Sequence, residues 1–181
     1  MSDVMQAPPS SAFRIVDVPE VHDALIQSHG IKGSFIGPSE EESPWVPFGD
    51  NAAIRHLAFD VRQNIFCNVL WIKSPGVIGT HKHRGRLVMM CLAGSMRYLE
   101  HDWVAEEGSF AFEPPGETHT LFVPEDVEEM ITWFHVQGGY TYVDPQGVAV
   151  GYEDVFTKLE TARAHYKKLG LPDDYIEQFI R

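Results

Sequence analysis

Short apolar runs of strand-like composition follow one another through the middle of this sequence. They are rich in β-branched and aromatic residues, and turn signals separate them about every 8–12 residues. The runs span residues 65–72, 87–92, 95–100, 109–113, 118–123 and 130–136. Parallel βαβ units would need helical segments between the strands, and this region has no helical period. The pattern therefore predicts an all-β fold, a sandwich or a barrel.

The C-terminal part of the sequence changes to a helical period. Residues 152–169 repeat apolar side chains on one face, Gly170 ends the pattern, and Pro172 begins a second short helix. These signals predict a single domain with three parts. They are an N-terminal tail and irregular arm over 1–44, a β-barrel over 45–151 and a helical extension over 152–181.

The charge balance excludes two classes of partner. The chain has 26 Asp plus Glu against 14 Lys plus Arg, for a formal charge of −12. Nucleic acids and anionic membrane surfaces bind clustered positive charge, so neither is expected here. The N-terminus lacks a secretory signal pattern, and no run reaches the roughly 18 apolar residues of a membrane helix. Cys67 and Cys91 lie inside apolar runs, which predicts buried free thiols in a reducing cytoplasm.

Three of the nine histidines fall in a pattern that suits a metal ion. His81 and His83 alternate along a predicted strand, so their side chains share one face about 7 Å apart. Further along, a tight turn at Pro114-Pro115-Gly116 precedes His119, which begins another strand. Folding that strand across the first would bring His119 beside the other two. The spacing therefore predicts metal ligands at these three positions.

These residues resemble the two motifs of the cupin family. Its second motif, Gly, five residues, Pro-x-Gly, two residues and His, matches in full from Gly108 to His119. Its first motif matches at Gly76, His81, His83 and Gly94, with four residues rather than five after the first Gly. The motif's Glu would fall at Leu87 or Val88, so the usual fourth ligand is missing. The resemblance implies a cupin jelly-roll barrel or sandwich with short C-terminal helices.

A closer likeness within the cupins involves residues 94–103 and 108–121. These runs resemble 2,4'-dihydroxyacetophenone dioxygenases and their acetylacetone dioxygenase-like relatives. The resemblance implies three His ligands, Fe(II), O2 as co-substrate and cleavage of a carbon–carbon bond next to a carbonyl. For the acetophenone, the products would be 4-hydroxybenzoate and formate. It also implies a homodimer or homotetramer.

Other residues are candidates for the chemistry around the metal. Glu113 is the carboxylate nearest to a ligand strand, and it is either a general base or a structural group of the turn. Trp133 and His135 share one face of a strand and would contact an aromatic substrate if that face is inward. Arg86 and Tyr98 are candidates for the mouth of the pocket.

Three other functions fit the same ligand set. A β-diketone dioxygenase would use the same iron, and a zinc or nickel cupin would be a hydrolase or isomerase. A cupin that senses a metal or a ligand without catalysis is also open, because fold alone does not define function.

Overall fold

Two antiparallel sheets of six strands each form the body of the fold in the computed structural model, which describes residues 35–37 and 39–181. Across the first sheet the strands are β1 (Val46–Phe48), β2 (Ala52–Asp60), β3 (Ile65–Ile72), β10 (Met130–Gln137), β5 (Leu87–Ala93) and β8 (Phe110–Glu113). Across the second they are β12 (Ala149–Glu153), β11 (Tyr140–Val143), β4 (Gly76–His83), β9 (Thr118–Val123), β6 (Ser95–Tyr98) and β7 (Ala105–Glu106). The chain crosses repeatedly between the sheets, which confirms the predicted jelly-roll sandwich.

Alternation along the strands builds the core between the two sheets. In β3 the buried side chains are those of Phe66, Asn68, Leu70 and Ile72, and the residues between them are half-buried. In β10 the same alternation buries Phe134. Because successive side chains of a strand point to opposite faces, each strand contributes every second residue to the interior.

The C-terminal helix α1 (Val155–Lys168) begins later than the sequence pattern predicts. Residues 149–153 form the edge strand β12 instead, and Asp154 caps the helix by accepting hydrogen bonds from the backbone N–H groups of Phe156 and Thr157. Gly170 follows the helix with a φ of +77°, a conformation that favours glycine. A 3₁₀ helix, Tyr175–Phe179, takes the place of the predicted second helix.

The end of the predicted N-terminal arm packs on β2. Ser43 is buried and its hydroxyl donates to the carbonyl of His56 at 2.6 Å, while Arg55 donates to the carbonyl of Ser39 at 2.8 Å. Residues 1–34 and 38 lie outside the described residues. The division into 1–44, 45–151 and 152–181 therefore stays a prediction.

The two cysteines are free, as the sequence predicts, and one of them is fully buried. Cys67 is half-buried and Cys91 is buried, and both are free thiols. Among the described residues, no helix is long and apolar enough to cross a membrane.

The outer face of the first sheet carries exposed apolar side chains on β5 and β8. They are Met90, Leu92, Phe110 and Phe112. Within the described part of the chain, β8 pairs with β5 alone and is an edge strand. An apolar face beside a free edge is a common site of assembly, so the homodimer or homotetramer remains a prediction that this surface suits.

The buried His56 makes the folded chain sensitive to acid. Its side chain is 1% exposed, and its ring centroid lies 4.9 Å from that of Phe59. Burial, with a smaller contribution from the Lys158 ammonium, lowers its pKa from 6.5 to about 3. The unfolded state gains a proton below about pH 6.5 that the folded state takes up only near pH 3. The free energy of unfolding therefore falls as the pH drops through this window.

Replacing His56 by Leu removes this proton uptake. Between about pH 6 and pH 4 we expect the slope of unfolding free energy against pH to decrease by up to about 1.4 kcal/mol per pH unit. Urea denaturation at a series of pH values measures the slope. His165→Leu, at a half-exposed position of α1, is the matched control and should keep the wild-type slope. Equal slopes in His56→Leu and the wild type would contradict the assignment.

Candidate metal centre

Strand alternation and cross-strand register bring the three predicted ligands together. His81 and His83 lie two residues apart on β4 and point inward, while Lys82 between them is exposed. His119 lies on the neighbouring strand β9, where it is the direct cross-strand partner of His81. The second sheet therefore presents all three imidazoles to the interior at one end of its central strands.

The Pro114-Pro115-Gly116 turn fixes the start of β9 against the end of β4. Gly116 has a φ of +92°, which suits glycine, and its N–H donates to the carbonyl of His83 at 2.9 Å. The N–H of His83 in turn donates to the carbonyl of Glu117 at 2.9 Å. These two backbone bonds hold the turn that carries His119 against the His-x-His segment.

The three Nε2 atoms form an equilateral triangle. The distances between His81 and His83, between His83 and His119, and between His119 and His81 are each 3.2 Å. A closed ring of hydrogen bonds does not explain this arrangement, because each neutral imidazole nitrogen either donates or accepts. With metal–nitrogen distances of about 2.1 Å, three ligands lie about 3.0 Å apart around an octahedral ion and about 3.4 Å apart around a tetrahedral ion. The triangle therefore fits a transition-metal ion.

Burial keeps the three imidazoles neutral, as metal ligands must be. Desolvation lowers the pKa of all three histidines. The pKa of His83 falls to about 3 and that of His119 to about 2. The charges of the neighbouring histidines lower the last two further. His81 Nδ1 lies 3.1 Å from the carbonyl of Gly79, so the proton belongs on Nδ1 and the lone pair on Nε2.

Glu113 reaches the same point from the other sheet. It is the last residue of β8 and is 2% exposed. Its Oε2 lies 3.4 Å from Nε2 of His119 and 3.6 Å from Nε2 of His83, and this oxygen has no hydrogen-bond partner among the described residues. Burial raises the pKa of Glu113 to about 7, against the opposing effect of a hydrogen bond from Tyr98. The carboxyl group thus faces the metal position and does not bond the turn backbone.

The position of Glu113 explains how the chain tolerates the missing motif carboxylate. Leu87, where the motif's Glu would fall, is the direct cross-strand partner of Glu113 in the pair β5–β8. Residues directly opposite on antiparallel strands lie side by side on one face. A carboxylate one strand away therefore occupies the region that the sequence motif assigns to position 87.

Tyr98 supports two of these groups at once. Its ring stacks on the imidazole of His119 with centroids 3.7 Å apart and planes 11° apart, and its hydroxyl donates to Glu113 Oε1 at 2.6 Å. Tyr98 is buried and also lines the cavity. Tyr98 therefore contacts His119 and Glu113 from a position on the cavity wall, and its contact with substrate stays a prediction.

A cavity of about 60 Å³ lies beside the triad. His81 and His83 line one wall, and most of the remaining lining is apolar or aromatic. This is the usual make-up of a small-molecule site, with a few polar groups in an apolar surface.

Three predicted substrate contacts lie away from this cavity. Trp133 and His135 are half-buried residues on the face of β10 opposite to Phe134 and Val136, and the latter two line the cavity. Arg86 is exposed and does not line the cavity. The substrate contacts predicted at Trp133, His135 and Arg86 therefore stay predictions: strand alternation puts the first two on the face of β10 away from this cavity, and Arg86 is exposed.

Three residues that the sequence argument missed line the cavity. Tyr140 and Tyr142 on β11 pair with His83 and His81 across the sheet, and the ring centroids of Tyr140 and His81 are 4.8 Å apart. Lys158 on α1 is 3% exposed and also lines the cavity. The Tyr-x-Tyr alternation was a usable signal for the tyrosines. For Lys158 the signal was its place on the apolar stripe of the helix.

A second cluster of possible ligands touches His119 from the side. His101, Glu117 and His119 offer ligand atoms within 4.8 Å of one another. His101 Nε2 lies 2.5 Å from Glu117 Oε1, which describes a hydrogen-bonded pair, and both side chains are partly exposed. The cluster shares His119 with the main triad, so the two sets of ligands cannot both hold ions through that residue's Nε2.

A jelly-roll sandwich with three convergent histidines defines a cupin with a candidate metal centre. The chain belongs to the ChrR Cupin-like domain family, whose sequence model matches residues 37–141. No curated protein matches the chain.

Solved structures share the fold over most of the chain. An RmlC-like cupin protein from Ralstonia eutropha JMP134 is 25% identical, with a TM-score of 0.75 over 82% of this chain and 94% of that chain. An acetylacetone dioxygenase from Acinetobacter johnsonii is 17% identical, with a TM-score of 0.67 over 74% of this chain and 93% of that chain. The second likeness is one of fold.

Removing any one imidazole is expected to lower the bound metal. His81→Ala, His83→Ala and His119→Ala each leave two nitrogens of the triangle, and elemental analysis of the purified variants measures the metal content. His135→Ala, on the outer face of β10, is the control and should keep the wild-type content. Full occupancy in one of the three variants would remove that residue as a ligand. The same analysis on protein produced without added metal distinguishes iron from zinc or nickel.

Proposed function

We propose that the chain is a non-haem iron dioxygenase that uses O2 to cleave a carbon–carbon bond next to a carbonyl in a small hydroxyketone. One observation carries the proposal. Three neutral Nε2 atoms converge at 3.2 Å from one another, two of their residues line a largely apolar cavity, and Oε2 of Glu113 lies 3.4 Å from the Nε2 of His119. His81, His83 and His119 would hold the iron.

Iron at this position would supply Lewis acidity and reactivity toward O2. The three imidazoles are uncharged, so they leave the positive charge of the ion to act on a chelating substrate. The apolar walls keep water away from the reacting atoms and strengthen every charge interaction there.

Glu113 is the proton acceptor of the proposed reaction. A hydroxyketone must lose a proton from the carbon that bears its hydroxyl before it can act as an electron-rich enolate. Tyr98 occupies Oε1 by donating its hydroxyl proton, which leaves Oε2 free for the substrate. A pKa near 7 suits a group that must be ionised and still hold a proton strongly.

The overall reaction is balanced with O2 as the co-substrate and needs no added reductant. The ketone RC(O)CH2OH and O2 give the acid RCOOH and formic acid, with the bond between the carbonyl carbon and the hydroxymethyl carbon broken. For 2,4'-dihydroxyacetophenone the acids are 4-hydroxybenzoate and formate. The resemblance of residues 94–103 and 108–121 to dioxygenases of this substrate supports it as the first compound to try.

Iron-loaded protein is expected to consume O2 when it is given an aryl hydroxyketone. An oxygen electrode measures uptake over a panel of aryl hydroxyketones and β-diketones. Mass spectrometry after reaction in ¹⁸O2 should find one labelled oxygen in each acid, because a dioxygenase places one atom in each product. Zinc-loaded protein is the control and should consume none.

The panel also tests the alternatives. If only the β-diketones cause O2 uptake, the substrate would be a β-diketone and not a hydroxyketone. Turnover of a substrate by the zinc or nickel form without O2 would favour a hydrolase or isomerase. Tight binding of ligands with no turnover by any metal form would favour a sensing cupin and contradict the enzyme.

Replacing Glu113 by Gln is expected to lower turnover by about 100-fold or more, the usual contribution of a general base. Gln keeps an oxygen for the Tyr98 hydroxyl but cannot take the proton. The variant is compared with Glu106→Gln, which changes an exposed carboxylate on β7 and should keep its activity. The measurement is steady-state turnover per bound iron, and unchanged turnover of Glu113→Gln would rule out the base.

A further inference from the structure

The cavity beside the triad is lined by a cationic side chain that the proposed reaction does not use. Lys158 projects from α1 and is 3% exposed, and its side chain lines the same cavity as His81 and His83. Its charge is close enough to the triad to lower the pKa of His81. A buried ammonium is costly unless it is well paired, so its position needs an explanation.

The contacts of Lys158 satisfy only part of the hydrogen-bonding capacity of its ammonium group. Its Nζ lies 3.5 Å from Oε2 of Glu153, an oxygen that also accepts a hydrogen bond from the Thr157 hydroxyl at 2.7 Å. The ammonium also lies 4.3 Å from the centre of the Phe48 ring and 5.7 Å from that of Tyr140. An ammonium has three N–H donors, and among the described residues Glu153 provides its one ion pair. Burial lowers the pKa of Lys158 to about 8, which leaves it mostly charged at neutral pH.

One aromatic ring separates the ammonium from the triad. The ring of Tyr140 lies 4.8 Å from the His81 ring and 5.7 Å from Lys158 Nζ, by centroid. His81, His83, Tyr140 and Lys158 thus line one cavity, and Tyr140 is a common neighbour of His81 and of the ammonium. A ligand that matches both would carry a chelating oxygen pair, a single ring and an acidic oxygen on the far side of that ring.

We propose that Lys158 anchors an anionic oxygen at the end of the substrate remote from the metal. The group is a carboxylate or phenolate on a monocyclic aryl hydroxyketone, and the para hydroxyl of 2,4'-dihydroxyacetophenone is one example. The inference rests on the proposed function for the chelating end of the ligand. Lys158 is a specificity-determining residue, and the proton transfer at Glu113 does not require it.

A binding experiment tests the anchor without turnover. The zinc-loaded full chain is titrated by calorimetry with two ligands, hydroxymethyl 4-carboxyphenyl ketone and its 4-carboxamide. The pair has nearly the same shape and differs by one charge. We expect the wild type to bind the carboxylate about 10-fold more tightly or better, the usual effect of a charge-assisted hydrogen bond.

Lys158→Met should reduce the carboxylate-to-carboxamide ratio to about 1 while affinity for the carboxamide changes little. Replacing a buried ion pair by an apolar side chain is often neutral for stability. An unchanged melting temperature and zinc content will show that the variant is intact. Lys167→Met makes the same charge change at an exposed position of α1 and should keep the wild-type ratio.

Several results would overturn the anchor. They are a wild-type ratio near 1, an unchanged ratio in Lys158→Met, and no measurable binding of the carboxylate to the wild type. If Lys158→Met fails to fold, the wild-type ratio and Lys158→Gln still decide the question. Iron-loaded protein that consumes no O2 while the ratio depends on Lys158 would overturn the proposed function and leave the anchor standing. O2 uptake together with a carboxylate-to-carboxamide ratio that is unchanged in Lys158→Met would overturn the anchor and leave the proposed function standing.

Discussion

The pairing of β4 with β9 is the constraint on which the site depends. It places His81 directly opposite His119, and the alternation of β4 adds His83 to the same face. A shift of this register by one residue would turn the imidazole of His119 to the other face of the sheet. The turn at Gly116 prevents such a shift, because its backbone bonds to His83 tie the two strands together at the ligands.

The same burial that stabilises the sandwich sets the protonation of the site. Desolvation disfavours the charged form of every group, so it makes the three histidines neutral ligands and makes Glu113 a stronger proton acceptor. Exposed imidazoles and an exposed carboxylate with the same spacing would lack both properties. The chemistry of the site is therefore a consequence of where the core lies as much as of which residues line it.

Local patterns in the sequence were sufficient to predict the fold and the grouping of the three histidines, but they did not determine which face of a strand lines the cavity. The alternation in β10 correctly puts Trp133 and His135 on one face, yet Phe134 and Val136 alternate equally well and are the pair that faces the cavity. Glu113 lies near the triad because β8 pairs with β5, where its direct partner is Leu87. The two residues are 26 positions apart, so no motif spacing predicts that they are neighbours. Which of two alternating sets is buried depends on the opposite sheet, so one strand alone does not contain the answer.

Lys158 and the metal proposed for the triad also bear on how an acidic protein could bind an anion. The chain carries a formal charge of −12, and this field opposes the approach of a carboxylate or phenolate. Salt screens exposed charges beyond about 8 Å at physiological ionic strength, whereas charges inside an apolar cavity interact through a lower dielectric. Inside the cavity, Lys158 and a metal held by the triad would be the dominant charges for a ligand among apolar walls. The net charge would therefore influence how fast an anion arrives, and the buried charges of Lys158 and a bound metal would determine whether it stays.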